Sequence, residues 1–248
     1  MSSPAAPDKG GFERRWRSRF EQFAETNEND AGISGWSEAG LGARLRHFSR
    51  VWRTEARGLW LDAGCGPGTY TRHLAEGGQE VVALDYSLPT LRKAVARCPG
   101  TRLWALGDVN ALPLPAGRFD GVLCFGVLQA LADPEPALRE LARVLRPGGE
   151  FWVDALNAWF APNLFDRWRR RLRGKPLHLR YDSPGRILEL LRGWGFQGVV
   201  LDWVPIAPSR LAFLQPFLES PWLRGLLRLV PGLGRMGAHA FVVRARKR

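Results

Sequence analysis

From residue 59 onward the chain alternates between short apolar runs and longer segments whose apolar residues recur at helical spacing. The runs Leu59–Ala63, Glu80–Leu84, Arg102–Leu106, Gly121–Phe125 and Glu150–Ala155 read as buried strands. Between them, Thr69–Glu76, Pro89–Ala96 and Glu135–Leu145 read as helices. Strand and helix in turn at this spacing mark a parallel sheet with helices on both faces. Upstream, Phe12, Trp16, Phe20 and Phe23 fall about one turn apart and predict a helix over Phe12–Ala24. The Gly-rich stretch Ala31–Gly42 then leads into a second helix, Leu41–Val51. Downstream the simple alternation ends. A helix over Pro184–Trp194, a strand over Gly198–Val204 and a last strand over Ala240–Arg244 complete seven strands. The expected layout is a helical cap over residues 1–50 and an α/β core over 51–248. The core carries an amphipathic insertion at about 205–238. A connection that long within a compact domain usually has a function or is disordered.

Composition changes the picture in one respect. The 248 residues include 36 Lys+Arg against 24 Asp+Glu, a net charge of +12, and only Lys9, Lys93, Lys175 and Lys247 are lysines. This arginine surplus fits a nucleic-acid partner, anionic lipid, or a bias of Arg over Lys throughout. The three cysteines, Cys65, Cys98 and Cys124, have no CxxC spacing, which speaks for a reducing compartment and against a disulfide or zinc framework. No run of about 18 apolar residues suggests a membrane span, and the start MSSPAAPDKGGFERRW lacks the apolar core of a secretory signal. A cytoplasmic protein is expected. No Cys, His or acidic cluster has metal-ligand spacing, so no dependence on a divalent metal is expected.

The strongest chemical signal is Leu59-Trp-Leu-Asp-Ala-Gly-Cys-Gly-Pro-Gly-Thr-Tyr70. An apolar strand ends at Asp62, and the glycines around Cys65 turn the chain sharply into a helix. The pattern is DxGxGxG rather than the GxGxxG of dinucleotide sites. An acid at this strand end would repel a pyrophosphate and favour a cationic group such as an ammonium. Asp85 lies twenty-one residues after Gly64, about where an acid binds ribose hydroxyls in nucleotide folds. Asp108 follows the third strand. Each acid alone reads as a turn residue or helix cap. Three together at the carboxyl ends of parallel strands, where open α/β sheets bind ligands, read as a site.

With these residues the sequence resembles the class I S-adenosylmethionine-dependent methyltransferases, in particular the group that includes the quinone-biosynthesis enzymes. The resemblance runs from about Leu59 to Glu150 and more weakly to the C-terminus. It implies a Rossmann-like, doubly wound, mostly parallel seven-stranded sheet with an antiparallel last strand, and S-adenosylmethionine as cofactor. Carried over, it makes Asp62, Gly64, Cys65, Gly66 and Gly68 the loop around the methionine part of the cofactor. Asp85 matches the acid on the ribose hydroxyls, with Tyr86 beside the adenine. Asp108 matches the acceptor for the adenine amino group, with the Val109 backbone nearby, and Phe125 stands close to the sulfonium. The segment Ala142–Gly149 matches the family's helix-to-strand turn before the fifth strand. Many relatives carry histidine after the fourth strand where this chain has Gln129-Ala130, so a histidine base there is not implied. Trp36, in the variable cap, would cover cofactor or substrate, or pack in the core. Tyr181 is an acceptor-side candidate, while His47, His73, His178 and His239 read as structural, and no catalytic residue is assigned.

Two basic, apolar stretches bear on the acceptor. One is Trp159–Lys175, in which six of the nine residues Arg167–Lys175 are basic and Phe160, Leu164, Phe165, Trp168 and Leu172 share a helical face. The other is the late insertion. Both suit a peripheral contact with an anionic membrane at the inner face and a small or lipid-like acceptor taking an O- or C-methyl group. Equally they suit a lid packed on the sheet with solvated arginines. An RNA methyltransferase is the rival reading, weakened by Cys124-Phe-Gly-Val-Leu-Gln129, where amine-methylating nucleic-acid enzymes of this fold carry an Asn/Asp-Pro-Pro-aromatic motif. A cofactor-binding regulator without turnover is the third.

Overall fold

The computed structural model describes residues 9–53, 57–174 and 179–248. The leader up to Asp8, Lys175 and His178 lie outside the described residues. Seven strands form one sheet: β1 (Leu59–Ala63), β2 (Glu80–Asp85), β3 (Leu103–Leu106), β4 (Phe119–Cys124), β5 (Leu145–Leu156), β6 (Phe196–Val204) and β7 (Ala240–Lys247). Their order is β3-β2-β1-β4-β5-β7-β6. Strands β1 to β5 run parallel, and β7 runs antiparallel to both of its neighbours, β5 and β6.

The two faces of the sheet follow from the period of two along each strand. Leu61, Val82, Val122 and Val153 pack on one face with Leu138, Leu141 and Val144 of α6 (Glu135–Val144) and Ile187 and Leu191 of α8 (Pro184–Gly193). Trp60, Val81, Leu123 and Trp152 face the other way, against α3 (Glu38–Val51) and α4 (Thr69–Glu76). Phe48 of α3, fully buried, stacks on Trp52 at 5.4 Å and meets Trp152, Phe125 and Tyr70 edge-on at 5.1, 5.7 and 5.9 Å. Burial of a ring of this size contributes roughly 1.5–3 kcal/mol, and it clamps the cap to the sheet. The start of α3 is set by Ser37, whose Oγ accepts from the Gly40 amide at 3.1 Å.

Beyond shifts of two or three residues at the ends of α3, β4, β6 and β7, the elements differ from expectation in three places. The first helix, α1, spans Lys9–Thr26, followed by one turn, α2 (Asp30–Ile33). Strand β5 begins at Leu145, not Glu150, because Leu145 already pairs with Phe119 before the register shifts to Gly121 opposite Glu150. Pro147, Gly148 and Gly149 therefore form an irregularity inside the strand rather than a turn before it. The late insertion is helical: a 3₁₀ segment (Ser209–Leu214), then α9 (Gln215–Leu218), α10 (Pro221–Leu229) and α11 (Pro231–Gly237). Pro216, Pro221 and Pro231 sit in the first turns, where a missing N–H costs nothing, and so divide the segment into short helices. It is tied down by Glu219, which binds Arg46 and Arg50 of α3, and by Arg228, which meets buried Asp202 of β6 at 2.5 Å. The remaining helices are α5 (Leu88–Arg97) and α7 (Ala161–Leu172). Among the described residues, no helix is long and apolar enough to cross a membrane.

Candidate active site

A cavity of about 330 Å³ opens at the carboxyl ends of β1, β2, β3 and β4. Its floor is the loop after β1. Gly64 and Cys65 donate their amides to the Leu84 carbonyl at 2.7 and 3.0 Å, which pins the loop to β2. Gly64 has φ +75°, and a Cβ there would lie 2.2 Å from the Val127 side chain. Only glycine fits both the conformation and the approach. On the opposite wall Gly126, φ +79°, has the Trp36 ring where a Cβ would stand, at 2.4 Å. The loops after β1 and β4 and the cap thus meet with no room for a side chain.

Asp85 closes β2 and faces this loop. Its Oδ2 accepts from the Gly66 amide at 3.0 Å and its Oδ1 from the Ser87 amide at 2.8 Å. Burial pushes its carboxyl up, while the Ser87 and Gly66 amides and nearby Arg17 pull it down. Tyr86 beside it carries the Arg17 guanidinium 5.0 Å from its ring centroid, and Phe20 stands 6.3 Å away on edge. Asp108 is exposed at the cavity rim and accepts from the Asn110 amide at 2.8 Å. Val109 is buried, and Phe125, also buried, meets Tyr70 edge-on at 5.0 Å. Cys65 is buried, and burial raises its thiol well above the usual range, which makes it an apolar wall rather than a nucleophile.

Of the ten residues singled out in the sequence, eight line the cavity: Gly64, Cys65, Gly66, Asp85, Tyr86, Asp108, Val109 and Phe125. Asp62 and Gly68 do not. The strand continues through Ala63, so Asp62 sits inside β1 rather than at its end, and its side chain turns toward α4. There it is 2% exposed, and its Oδ2 accepts from Thr71 Oγ1 at 2.6 Å. In this arrangement it supports the loop from behind. Gly68, φ +87°, instead starts α4 against Cys98, whose Sγ would lie 2.6 Å from a Cβ. Tyr181 is half-buried beside Arg167 and does not line the cavity.

Burial raises the Asp62 carboxyl to about 7 from an ordinary 3.8, and the Thr71 hydroxyl only partly offsets it. The folded state therefore holds this proton where the unfolded chain has released it, so this group lowers stability progressively between about pH 4 and pH 7. At 1.36 kcal/mol per unit the loss approaches roughly 4 kcal/mol. Asp62→Asn, which keeps an acceptor for Thr71, is expected to remove that slope. Denaturant unfolding of both proteins at pH 5 and pH 8 checks it: the variant should gain on the wild type at pH 8, and parallel curves would contradict the assignment.

Of the cap, sequence reasoning singled out Trp36, which lines the cavity, but not α1. Gly10, Glu13, Arg14, Arg17 and Phe20 occupy one face of α1 and line the cavity. The helix bridges the site: Glu13 Oε1 accepts from the Ala132 amide beyond β4 at 3.0 Å, and Arg17 reaches the Tyr86 carbonyl beyond β2 at 3.4 Å. The i, i+3, i+4, i+7 spacing of these positions was present in the chain, but the aromatic series on α1 masked it. A second undetected feature is Arg44. Its Nε binds Asp154 Oδ2 at 2.7 Å, both groups buried, and its guanidinium lies 4.2 Å from the Trp36 ring centroid. The other Asp154 oxygen accepts from the Gly126 amide at 2.6 Å. Cap, β5 and the loop after β4 share this one ion pair.

The fold is the Rossmann-like architecture of methyltransferases, as comparison with known proteins shows. Residues 61–153 match the family described as a methyltransferase domain. The chain is 41% identical over 181 residues to the malonyl-[acyl-carrier protein] O-methyltransferase of Salmonella typhimurium, covering 73% of this chain and 65% of that one. It is 31% identical over 150 residues to the demethylmenaquinone methyltransferase of Renibacterium salmoninarum, covering 58% and 63%. The chain thus spans less than two thirds of the length of these relatives. In fold it resembles Haemonchus contortus phosphoethanolamine N-methyltransferase 2, solved with S-adenosylmethionine. The TM-score is 0.64 at 17% identity, covering 92% of this chain and 60% of that one.

Proposed function

We propose that this protein is an S-adenosylmethionine-dependent methyltransferase acting on a small or lipid-like acceptor, with O- or C-methylation favoured. The observation that carries this is the cavity's set of unmet polar groups. Tyr70 Oη, Tyr86 Oη and Asn110 Oδ1 are buried without a hydrogen-bond partner among the described residues, and all three residues line it. Buried polar atoms of this kind call for a partner. The amide-fixed Asp85 carboxylate retains lone pairs for a vicinal diol, and the glycine loop leaves backbone room beside it. An adenosine-bearing ligand fits these features.

When bound, S-adenosylmethionine supplies an electrophilic methyl group on a sulfonium sulfur. Asp85 would accept from the ribose hydroxyls, with Tyr86 packing beside the base and Asp108 and the Val109 backbone at its edge. Phe125 and Tyr70 form an apolar wall that excludes water from the transfer. Loop and cap hold the acceptor in line by position. No side chain is assigned as a general base, and an acceptor that ionises readily needs none.

The two curated relatives above are named for a carrier-bound malonyl group and for demethylmenaquinone. Both names support an acceptor with a long apolar or carrier-borne part. With such an acceptor we place the enzyme in the cytoplasm, in peripheral contact with an anionic membrane at its inner face. Calorimetric titration with S-adenosylmethionine should show one-to-one binding. Transfer of a tritiated methyl group into a bacterial lipid extract should then separate an enzyme from a mere binder. Absence of any binding would remove the reading.

A further inference from the structure

Nineteen large apolar side chains stand exposed among the described residues, and fourteen of them belong to Trp159–Leu172 or to the insertion between β6 and β7. That concentration reverses the usual arrangement. On α7, Leu164, Phe165, Trp168 and Leu172 form one helical stripe, as an amphipathic helix should. The stripe faces outward, however, while Asn163 is buried and Asp166, Arg167 and Arg170 are half-buried. Phe165, Trp168 and Leu172 of α7 and Phe213, Trp222 and Leu229 of the insertion are 58–82% exposed. A lid packed on the sheet would bury these groups.

Topology brings the two segments together. Strands β5, β7 and β6 are neighbours, and β7 runs backwards, so α7 leaves and the insertion both leaves and returns at the same sheet edge. The segments touch: Arg235 of α11 lies over the Trp159 ring at 4.1 Å, and the Asn157 side chain donates to the Arg235 and Ala238 carbonyls. The cofactor cavity opens on that same edge, over β1 to β4. Phe160 and His239, 5.5 Å apart, stand between the two halves, and Arg44 beside the cavity depresses the His239 imidazole after burial has done most of it.

We propose that α7 and the insertion form a single docking face for an anionic lipid surface, presenting the mouth of the site to the bilayer. Charge selects this occupant. Arg171, Arg173 and Arg210 have no carboxylate partner among the described residues, and they flank the exposed aromatic and leucine side chains. Tryptophan and phenylalanine inserted at the headgroup level with arginines beside them is the chemistry of interfacial binding. The membrane face accounts for the lipid-like acceptor and to that extent rests on the methyltransferase reading, but docking is measurable without it.

The test is flotation of the full chain with phosphatidylcholine vesicles, with and without phosphatidylglycerol, at low and high salt. Binding to the anionic vesicles is expected, with little to the neutral ones and a loss at high salt. The variant Phe165→Ser, Trp168→Ser and Trp222→Ser should bind roughly tenfold more weakly or worse. Quenching of tryptophan fluorescence in the unaltered protein by brominated lipid provides a readout independent of variant folding. No flotation with anionic vesicles, or unchanged flotation of the triple variant, would overturn the proposal. So would a stable dimer in sedimentation velocity that the triple variant abolishes, since the face would then belong to a second copy. Cofactor affinity measured on the same variant should stay unchanged. Vesicle binding without cofactor binding would sink the enzymatic reading alone.

Discussion

Replacing Arg44 with methionine is expected to destabilise the protein by about 3–5 kcal/mol, as removal of one partner from a buried ion pair does. Arg44 and Asp154 are both buried, and burial already pushes the Asp154 carboxyl up, with Arg44 holding it down. Without the guanidinium the carboxylate keeps one partner among the described residues, the Gly126 amide. It will take up a proton, so the deficit should shrink as pH falls through the weakly acid range. Adding Asp154→Leu should recover much of the loss, because a fully apolar pair removes the uncompensated charge. Urea unfolding of wild type, single and double variants at pH 5 and pH 8 measures all of this. A single-variant loss below about 1 kcal/mol would mean that the pair is solvated.

Asp85→Ala is expected to weaken S-adenosylmethionine binding by at least about a hundredfold. Hydrogen bonds to a charged acceptor are worth roughly 1.5–3 kcal/mol each, so loss of two to a ribose diol reaches about 3 kcal/mol or two decades. The substitution also frees the Gly66 and Ser87 amides that the carboxylate now holds, loosening the loop floor. Asp85→Asn, which keeps one acceptor oxygen, should fall between. Asp62→Asn provides the contrast: it lies behind the loop and should alter affinity only a few-fold. Calorimetry on the three variants decides it. Equal losses at positions 62 and 85 would contradict the placement of Asp62 outside the cavity.

Legibility in the sequence followed the range of the forces involved. Strand β1 was readable to the residue, since the short apolar run at Leu59–Ala63 and the glycines beyond it are local signals. That Asp62 turns to Thr71 of α4 was not legible, because the partner of a buried carboxylate is set by the packing of the following helix. The start of β5 was hidden because Leu145 is held extended by Phe119, twenty-six positions away, against the local signal of Pro147 and Gly148. The insertion's amphipathic composition was visible, but not which way its apolar side chains face. That depends on anchors such as Arg228 on Asp202 and Arg46 on Glu219, pairs drawn from distant parts of the chain. Arg44 was unreadable for the same reason: one of three arginines in the predicted helix Leu41–Val51, it finds its carboxylate 110 residues later.

The reversed course of β7 has an architectural consequence. Because β6 and β7 are consecutive and antiparallel, residues 205–239 are topologically the tip of a hairpin, however much helix they contain. The entropic penalty of closing such a tip rises only logarithmically with its length. The sheet can therefore accept a long tip, a short one or a differently furnished one without rethreading any strand. On the proposed reading, recognition of the acceptor's surroundings is in this sense modular, an appendage exchangeable at a single joint, whereas the nucleotide half is woven from four strands and has no such joint.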